Sequence, residues 1–177
     1  MEVLMMKQIL YWTQLVYDNW KLYMVATSNG LCYVGSQDKR FDEMEVWVKK
    51  HYPGSQLVQD VTEMQPYVDE FKEFFQGIRN SFTIPQELKG TKFQTDVWNA
   101  LCKIPYGETW TYSDIANAIE RPSAVRAVGT AIGANPVLLT VPCHRVIGKN
   151  GKLTGFRGGL DMKEQLLKLE KENHINS

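Results

Sequence analysis

The sequence predicts a mixed α+β chain, strand-rich in its first half and helix-rich in its second. Three observations carry this. Short runs of branched and aromatic residues separated by turn formers fill the segment up to residue 35, apolar residues at helical spacing dominate from residue 91 onward, and the charge balance changes sign between the two regions. With 177 residues, 44% of them hydrophobic and 23% charged, the chain is long enough to bury a core without covalent staples.

In the first half, residues 9–13, 15–17, 22–27 and 31–35 have the composition of strands. Ser28-Asn29-Gly30 between two of them is a hairpin signal, since Asn-Gly tolerates the positive φ angles of a type I′ turn. Residues 43–52 carry a helical pattern closed by Pro53-Gly54, and residues 66–76 repeat it with Val68, Phe71, Phe74 and Phe75 on one face and Gly77 as the stop. A further strand is expected at residues 81–84, followed by Pro85 and a polar linker ending at Gly90. The domain boundary is placed there, giving domains 1–90 and 91–177.

In the second half, residues 91–104 place Phe93, Val97, Trp98, Leu101 and Cys102 on one stripe, so Cys102 is expected in the core. Thr111 is an N-cap for a helix running to about Ile119, with Asp114 completing a capping-box variant. After Pro122, Ser123 is expected to cap a helix over residues 124–134 that is rich in Ala and Gly. Two short helices across a tight turn form a helix-turn-helix candidate, although plain helix packing gives the same pattern. The second helix has one long cation, Arg126, among small residues, which suits a minor groove better than base reading in a major groove. Residues 137–141 resemble a buried strand, and a last helix covers residues 160–171.

Lys plus Arg and Asp plus Glu each number 20, so whole-protein charge gives no claim on nucleic acid or membrane. Its distribution does: residues 1–90 carry 9 basic and 12 acidic side chains, net −3, and residues 91–177 carry 11 and 8, net +3. Between Arg121 and Leu160 stand Arg121, Arg126, Arg145, Lys149, Lys152 and Arg157 and no acid, a patch compatible with phosphate. Three widely spaced cysteines, Cys32, Cys102 and Cys143, form neither a disulfide framework nor a metal clip, and a reducing compartment is expected. No signal peptide or membrane-spanning segment is expected, which places the protein in the cytoplasm, on the nucleoid, or in the nucleus of a eukaryotic cell.

Chemistry concentrates in Pro142-Cys143-His144-Arg145-Val146. Free Cys has a pKa of roughly 8.5 and nearby cations lower it, so Cys143 in the acid-free stretch is a candidate nucleophile, with a buried inert thiol as the alternative. His144 adjoins it in sequence, and neighbours on a strand face opposite ways, so contact needs a turn or a bridging water. Glu170, at helical spacing from Leu166 and Leu167, can orient a histidine or serve as a solvated helix-end acid.

Together with Asn135-Pro136-Val137, Arg126-Ala127-Val128-Gly129, Gly158-Gly159-Leu160 and Leu166-Leu167-Lys168-Leu169-Glu170, this motif resembles the O6-alkylguanine-DNA alkyltransferase family, in its single-function bacterial form. The resemblance runs from about Phe93 to Glu170. It implies a small ribonuclease-H-like sheet domain followed by a mainly helical, winged-helix-like domain. It also implies direct reversal of DNA damage, a methylated-DNA–protein-cysteine methyltransferase that accepts the alkyl group from O6 of guanine, and from O4 of thymine, once per chain. By that resemblance Cys143 is the acceptor, His144 its base through a water, Glu170 the orienting acid, and Asn135 a support across the turn. Tyr112 aids flipping and donates a proton toward N3 of the departing guanine, while Arg126 enters the stack in place of the extruded base. Arg121, Ser123, Ala127 and Thr130 are implied to line the DNA surface, and Val146, Phe156, Arg157 and Gly158 the alkyl pocket. The implied partner is double-stranded DNA bound through its minor groove, by a monomer without membrane association or organic cofactor.

Two positions depart from the pattern. Phe156 stands where many relatives have tyrosine, and Arg157 where they have a small residue, so that a cation there contacts phosphate or narrows the pocket for large substituents. Cys32, His51 and Cys102 form no dense cluster, and no metal is expected. Three alternatives differ in outcome. A lesion-binding alkyltransferase-like protein or a plain DNA-binding module would give no covalent product, and a cysteine hydrolase would turn over without DNA.

Overall fold

The computed structural model describes residues 6–175. It has a sheet region followed by a mainly helical region, as the sequence predicts. Strands β1 (Ile9–Tyr17), β2 (Trp20–Thr27) and β3 (Gly30–Val34) form an antiparallel meander, and β4 (Gln56–Gln59) adds to β1 in parallel, giving the order β3-β2-β1-β4. Helix α1 (Phe41–His51) covers one face and α2 (Val61–Phe75) the other. Period-2 alternation decides which residue meets which helix. Leu10 and Val25 join Met44 and Val48 of α1, whereas Leu15, Leu22, Met24 and Ala26 join Phe71, Phe74 and Phe75 of α2.

Several expectations change here for identifiable reasons. β1 is one strand rather than two, because exposed Gln14 keeps its place in the ladder opposite Tyr23. The hairpin at Ser28-Asn29 forms, but Gly30 takes the positive φ (142°), not Asn29, and a Cβ there would meet the Pro85 carbonyl carbon at 2.5 Å. β4 has no counterpart in the sequence reading. α2 begins at Val61, not Pro66, because Asp60 caps it by accepting from the Glu63 N–H at 2.9 Å. Residues 81–84 form no strand: the Thr83 and Ile84 N–H groups donate to the Glu70 carboxylate, and the chain joins β3 only at Gln86.

The second half comprises α3 (Lys92–Leu101), β5 (Trp110–Thr111), α4 (Tyr112–Ala118), α5 (Val125–Gly133), β6 (Val146–Ile147) and α6 (Leu160–Ile175). Thr111 and Asp114 make the expected capping box at α4, with bonds of 3.2 and 2.7 Å. Ser123 does not cap α5. Ala124 holds that position with no side-chain bond. α4 and α5 form the helix-turn-helix pair, and the Trp98 indole of α3 anchors α5 by donating to the Ala131 carbonyl at 2.8 Å. Cys102 lies just past the end of α3 and is exposed rather than core.

Residues 137–141 are the clearest departure, a compact turn instead of a strand. Asn135 supplies what a neighbouring strand would: its Oδ1 accepts from the Val137 N–H at 3.0 Å and its Nδ2 donates to the Val141 carbonyl at 3.0 Å. Only Val137 bridges to the sheet, at Val34, and Leu139 adopts a φ of 75°. One apolar cluster then runs from the α2 face of the sheet through α3, α4 and α5 to Met162 and Leu166 of α6.

Candidate active site

Cys143, His144 and Arg145 form a single 3-10 turn, and that turn solves the adjacency problem the sequence posed. On a strand Cys143 and His144 would face apart. On the turn both are buried, Cys143 against Asn135 and His144 against Glu170. Parallel pairing of β5 with β6, Trp110 opposite Val146 and Thr111 opposite Ile147, ties the start of α4 to the end of this turn. It thereby brings Tyr112 to the thiol. A cavity of about 360 Å³ is lined by Cys143, Tyr112, Gly129, Ile132, Gly133, Gly155, Phe156 and Arg157.

Two separate sets of contacts hold the turn, one at Cys143 and one at His144 and Arg145. Asn135 Nδ2 donates to Cys143 Sγ at 3.2 Å while holding the turn described above. His144 Nε2 lies 2.7 Å from Glu170 Oε1, and His144 Nδ1 is buried with no hydrogen-bond partner among the described residues. Glu170 also receives the Arg145 guanidinium, Nε at 2.9 Å from Oε2 and Nη2 at 2.8 Å from Oε1, while Arg145 Nη1 donates to the Ile104 carbonyl at 2.8 Å.

Burial opposes ionisation of Glu170, but the bonds from His144 and Arg145 outweigh it and hold its carboxyl down at about 2. Burial lowers the His144 pKa despite the Glu170 carboxylate, and the Arg145 charge acts in the same direction as burial. The ring is therefore neutral at rest, its Nε2–H donates to Glu170, and its Nδ1 lone pair can take a proton. Burial pushes the Cys143 thiol up, against the Asn135 bond and the charges of Arg157 and Lys163. The resting thiol is protonated beside a neutral base, which suits nucleophilic attack coupled to proton removal.

Of the remaining expected residues, Tyr112 accepts a hydrogen bond from Thr154 Oγ1 at 3.0 Å. Arg126, Ala127 and Thr130 form an exposed face of α5, and Arg121 and Ser123 are exposed in the preceding turn. The Arg126 side chain makes no hydrogen bond or ion pair among the described residues. Phe156 and Arg157 line the cavity, but Val146 and Gly158 do not. The Val146 side chain is buried in the core, and Gly158 admits the Phe156 ring and the Met162 sulfur, which a Cβ would meet at 2.4 and 2.6 Å. Arg157 does not project outward: its guanidinium is turned into the protein onto backbone carbonyls.

Two site residues escaped the sequence reading. Arg145 entered only as one of several cations, and Lys163 not at all. Lys163 is fully buried, its Nζ donating to the Val146 carbonyl and, at 2.8 Å, to that of Thr154. Its signal was present: Lys163, Leu166 and Glu170 share one buried stripe of α6.

A buried thiol with a neutral histidine on the same turn, set beneath a helix-turn-helix with an exposed arginine, has the parts of a thiol-based group-transfer protein that works on nucleic acid. The profile of the 6-O-methylguanine DNA methyltransferase DNA-binding domain matches residues 92–172. The chain is 58% identical over 165 residues to the inducible methylated-DNA–protein-cysteine methyltransferase of Bacillus subtilis, covering 93% of this chain and 92% of that protein. The fold matches the crystal structure of Mycobacterium tuberculosis O6-methylguanine methyltransferase with a TM-score of 0.80 and 35% identity, over 93% of this chain and 94% of the other. It matches M. tuberculosis OGT in complex with DNA with a TM-score of 0.77 and 35% identity, over the same shares of the two chains. The chain belongs to the methylated-DNA–protein-cysteine methyltransferase family.

Proposed function

We propose that this chain repairs O6-alkylguanine in double-stranded DNA by moving the alkyl group onto Cys143. The observation that carries this is the placement of one thiol on a cavity walled by Tyr112 and Phe156, with Asn135 bonded to the thiol, a buried His144–Glu170 pair on the same turn, and the exposed face of α5 beside it. O6 is inaccessible within the duplex, so the nucleotide is extruded at a cost of a few kcal/mol. Arg126 fills the gap. Its small neighbours Ala127 and Thr130 allow close approach in the minor groove.

The proton on Sγ passes to His144 Nδ1 through a bridging water, and Glu170 stabilises the imidazolium. A sulfur–carbon bond forms as the carbon–O6 bond breaks, and its electron pair goes to the guanine. Tyr112 gives its phenolic proton to guanine N3 to neutralise the leaving group, and its oxygen is already oriented by Thr154. The product thioether has no leaving group for water to displace, so each chain acts once. O4-methylthymine offers the same displacement. We take the protein to act as a monomer.

No helix among the described residues is long and apolar enough to cross a membrane. A thiol acceptor requires a reducing compartment, and we place the protein in the cytoplasm on nucleoid DNA. Cys143→Ala should abolish transfer from an O6-methylguanine duplex while gel-shift binding to it persists. Transfer by that variant, or turnover on small thioesters without DNA, would overturn the assignment.

A further inference from the structure

This inference deepens the transfer reading above and rests on it. It concerns Arg157, whose position beside the acceptor the proposed mechanism leaves unused.

Each element packed around the Cys143 turn brings a different kind of group. From its own turn come His144, held neutral, and Arg145, whose charge is answered by Glu170 of α6. Tyr112 of α4 lies across the cavity. Lys163 of α6 and Arg157 of the loop before α6 supply two cations, and both differ from Arg145 in one respect. Neither has a carboxylate partner among the described residues, and the hydrogen bonds that hold them go chiefly to backbone oxygens, with the Tyr33 side chain also against Arg157.

Arg157 is held by three. Nη2 donates to the Val34 carbonyl at 2.6 Å and the Pro136 carbonyl at 3.1 Å, and Nε donates to the Asn135 carbonyl at 3.0 Å. Its guanidinium carbon lies 5.4 Å from the centroid of the Tyr33 ring, which shields one side from water. Ser36 Oγ donates to the Arg157 carbonyl at 3.2 Å and pins the backbone. The carboxylate acting on Tyr33 from α1, Glu43, is itself exposed. Asn135 links this cation to sulfur within a single residue, its carbonyl taking the guanidinium and its carboxamide donating to Sγ.

We propose that Arg157 is a positioning residue that activates the acceptor: its uncompensated charge, fixed beside the alkyl cavity by three carbonyls, stabilises the Cys143 thiolate as the thiol proton leaves. Carbonyl dipoles hold a guanidinium in place without cancelling its charge, whereas a carboxylate would cancel it. At a partly desolvated site that charge acts on sulfur far more strongly than it would through water. One of these bonds reaches β3 and two reach the Asn135 turn. The sheet region thus holds the activating charge in register with the helical region that carries the nucleophile.

The test is the pH dependence of Cys143 alkylation by iodoacetamide, a neutral probe, read by peptide mass spectrometry in the wild type, Arg157→Met and Arg157→Lys. The Met variant should react about tenfold more slowly at pH 7, with its pH–rate curve displaced to higher pH and its alkaline plateau unchanged. Arg157→Lys should keep most of the wild-type curve. A loss that is equal at every pH, plateau included, would make Arg157 a structural clasp only, and an unchanged curve would remove the charge effect. Both results overturn the proposal. If Arg157→Met fails to fold, Arg157→Gln retains a donor for the carbonyls and gives the same comparison. Wild-type transfer from an O6-methylguanine duplex is measured in parallel, so failure of the repair reading is seen separately from failure of this one.

Discussion

Replacing Glu170 by Gln should remove a pH-dependent share of stability whose size follows from the site. In the folded chain the Glu170 carboxyl is held at about 2 against an ordinary 4.5, mainly by hydrogen bonds from His144 and Arg145 working against burial. At roughly 1.36 kcal/mol for each pH unit of displacement, the ionised carboxylate contributes about 3 kcal/mol at pH 7. A folded-state pKa below the unfolded value means that this contribution is complete above about pH 5 and is lost as pH falls toward 2. Linkage leaves about 1 kcal/mol of it at pH 3. Seen from its partner, the same loss leaves the Arg145 guanidinium without a countercharge, a type of change that costs about 3–5 kcal/mol in buried sites, which agrees with that figure and does not add to it. Urea unfolding of wild type and variant at pH 7, 5, 4 and 3 reads the difference directly. A difference of about 3–4 kcal/mol at pH 7 that shrinks below pH 4 is expected. One that stays constant down to pH 3, or is below about 1 kcal/mol at pH 7, would refute the electrostatic account of this cluster.

Asn135→Ala removes three buried bonds, to Val137, Val141 and Cys143, and should destabilise the chain by about 2–4 kcal/mol in denaturant melts while slowing methyl transfer. Arg126→Ala, at an exposed site, should change stability by less than about 0.5 kcal/mol yet slow repair of duplex much more than reaction with free O6-benzylguanine, and equal losses would argue against a role in extrusion. Tyr112→Phe should slow transfer from duplex about a hundredfold, the usual scale of a positioned proton donor. An unaffected rate would take the phenol out of the chemistry.

The regular elements were legible wherever one local signal dominated. Thr111 and Asp114 mark the start of α4 unambiguously, because a capping box needs only neighbours in sequence. Failures arose where a distant side chain supplied the backbone's partners. Asn135 turns an apolar run that reads as a strand into a compact turn, and Glu70 takes the N–H groups of residues 83 and 84 that a strand would have used. β4 is half-exposed and pairs only with β1, far away in sequence, so its four residues carry no pattern of their own.

The site divides along the same line. Cys143 and His144 stood out by motif, and Glu170 acquired its role only through the family resemblance, because its bond to His144 spans 26 residues. Arg145 was counted as surface charge, yet it is the ion partner that keeps Glu170 ionised. Arg157 was expected to reach phosphate or crowd the pocket. No spacing rule could show that it turns inward onto Val34, since that contact crosses from one half of the chain to the other.

The central claim is that Cys143 itself takes the alkyl group, and intact-protein and peptide mass spectrometry after mixing with a duplex containing one O6-methylguanine tests it most directly. The account predicts the gain of one methyl group, confined to the peptide bearing Cys143 and saturating at one per chain. An unmodified protein that still binds the duplex, or a methyl group found on Cys32 or Cys102, would contradict it.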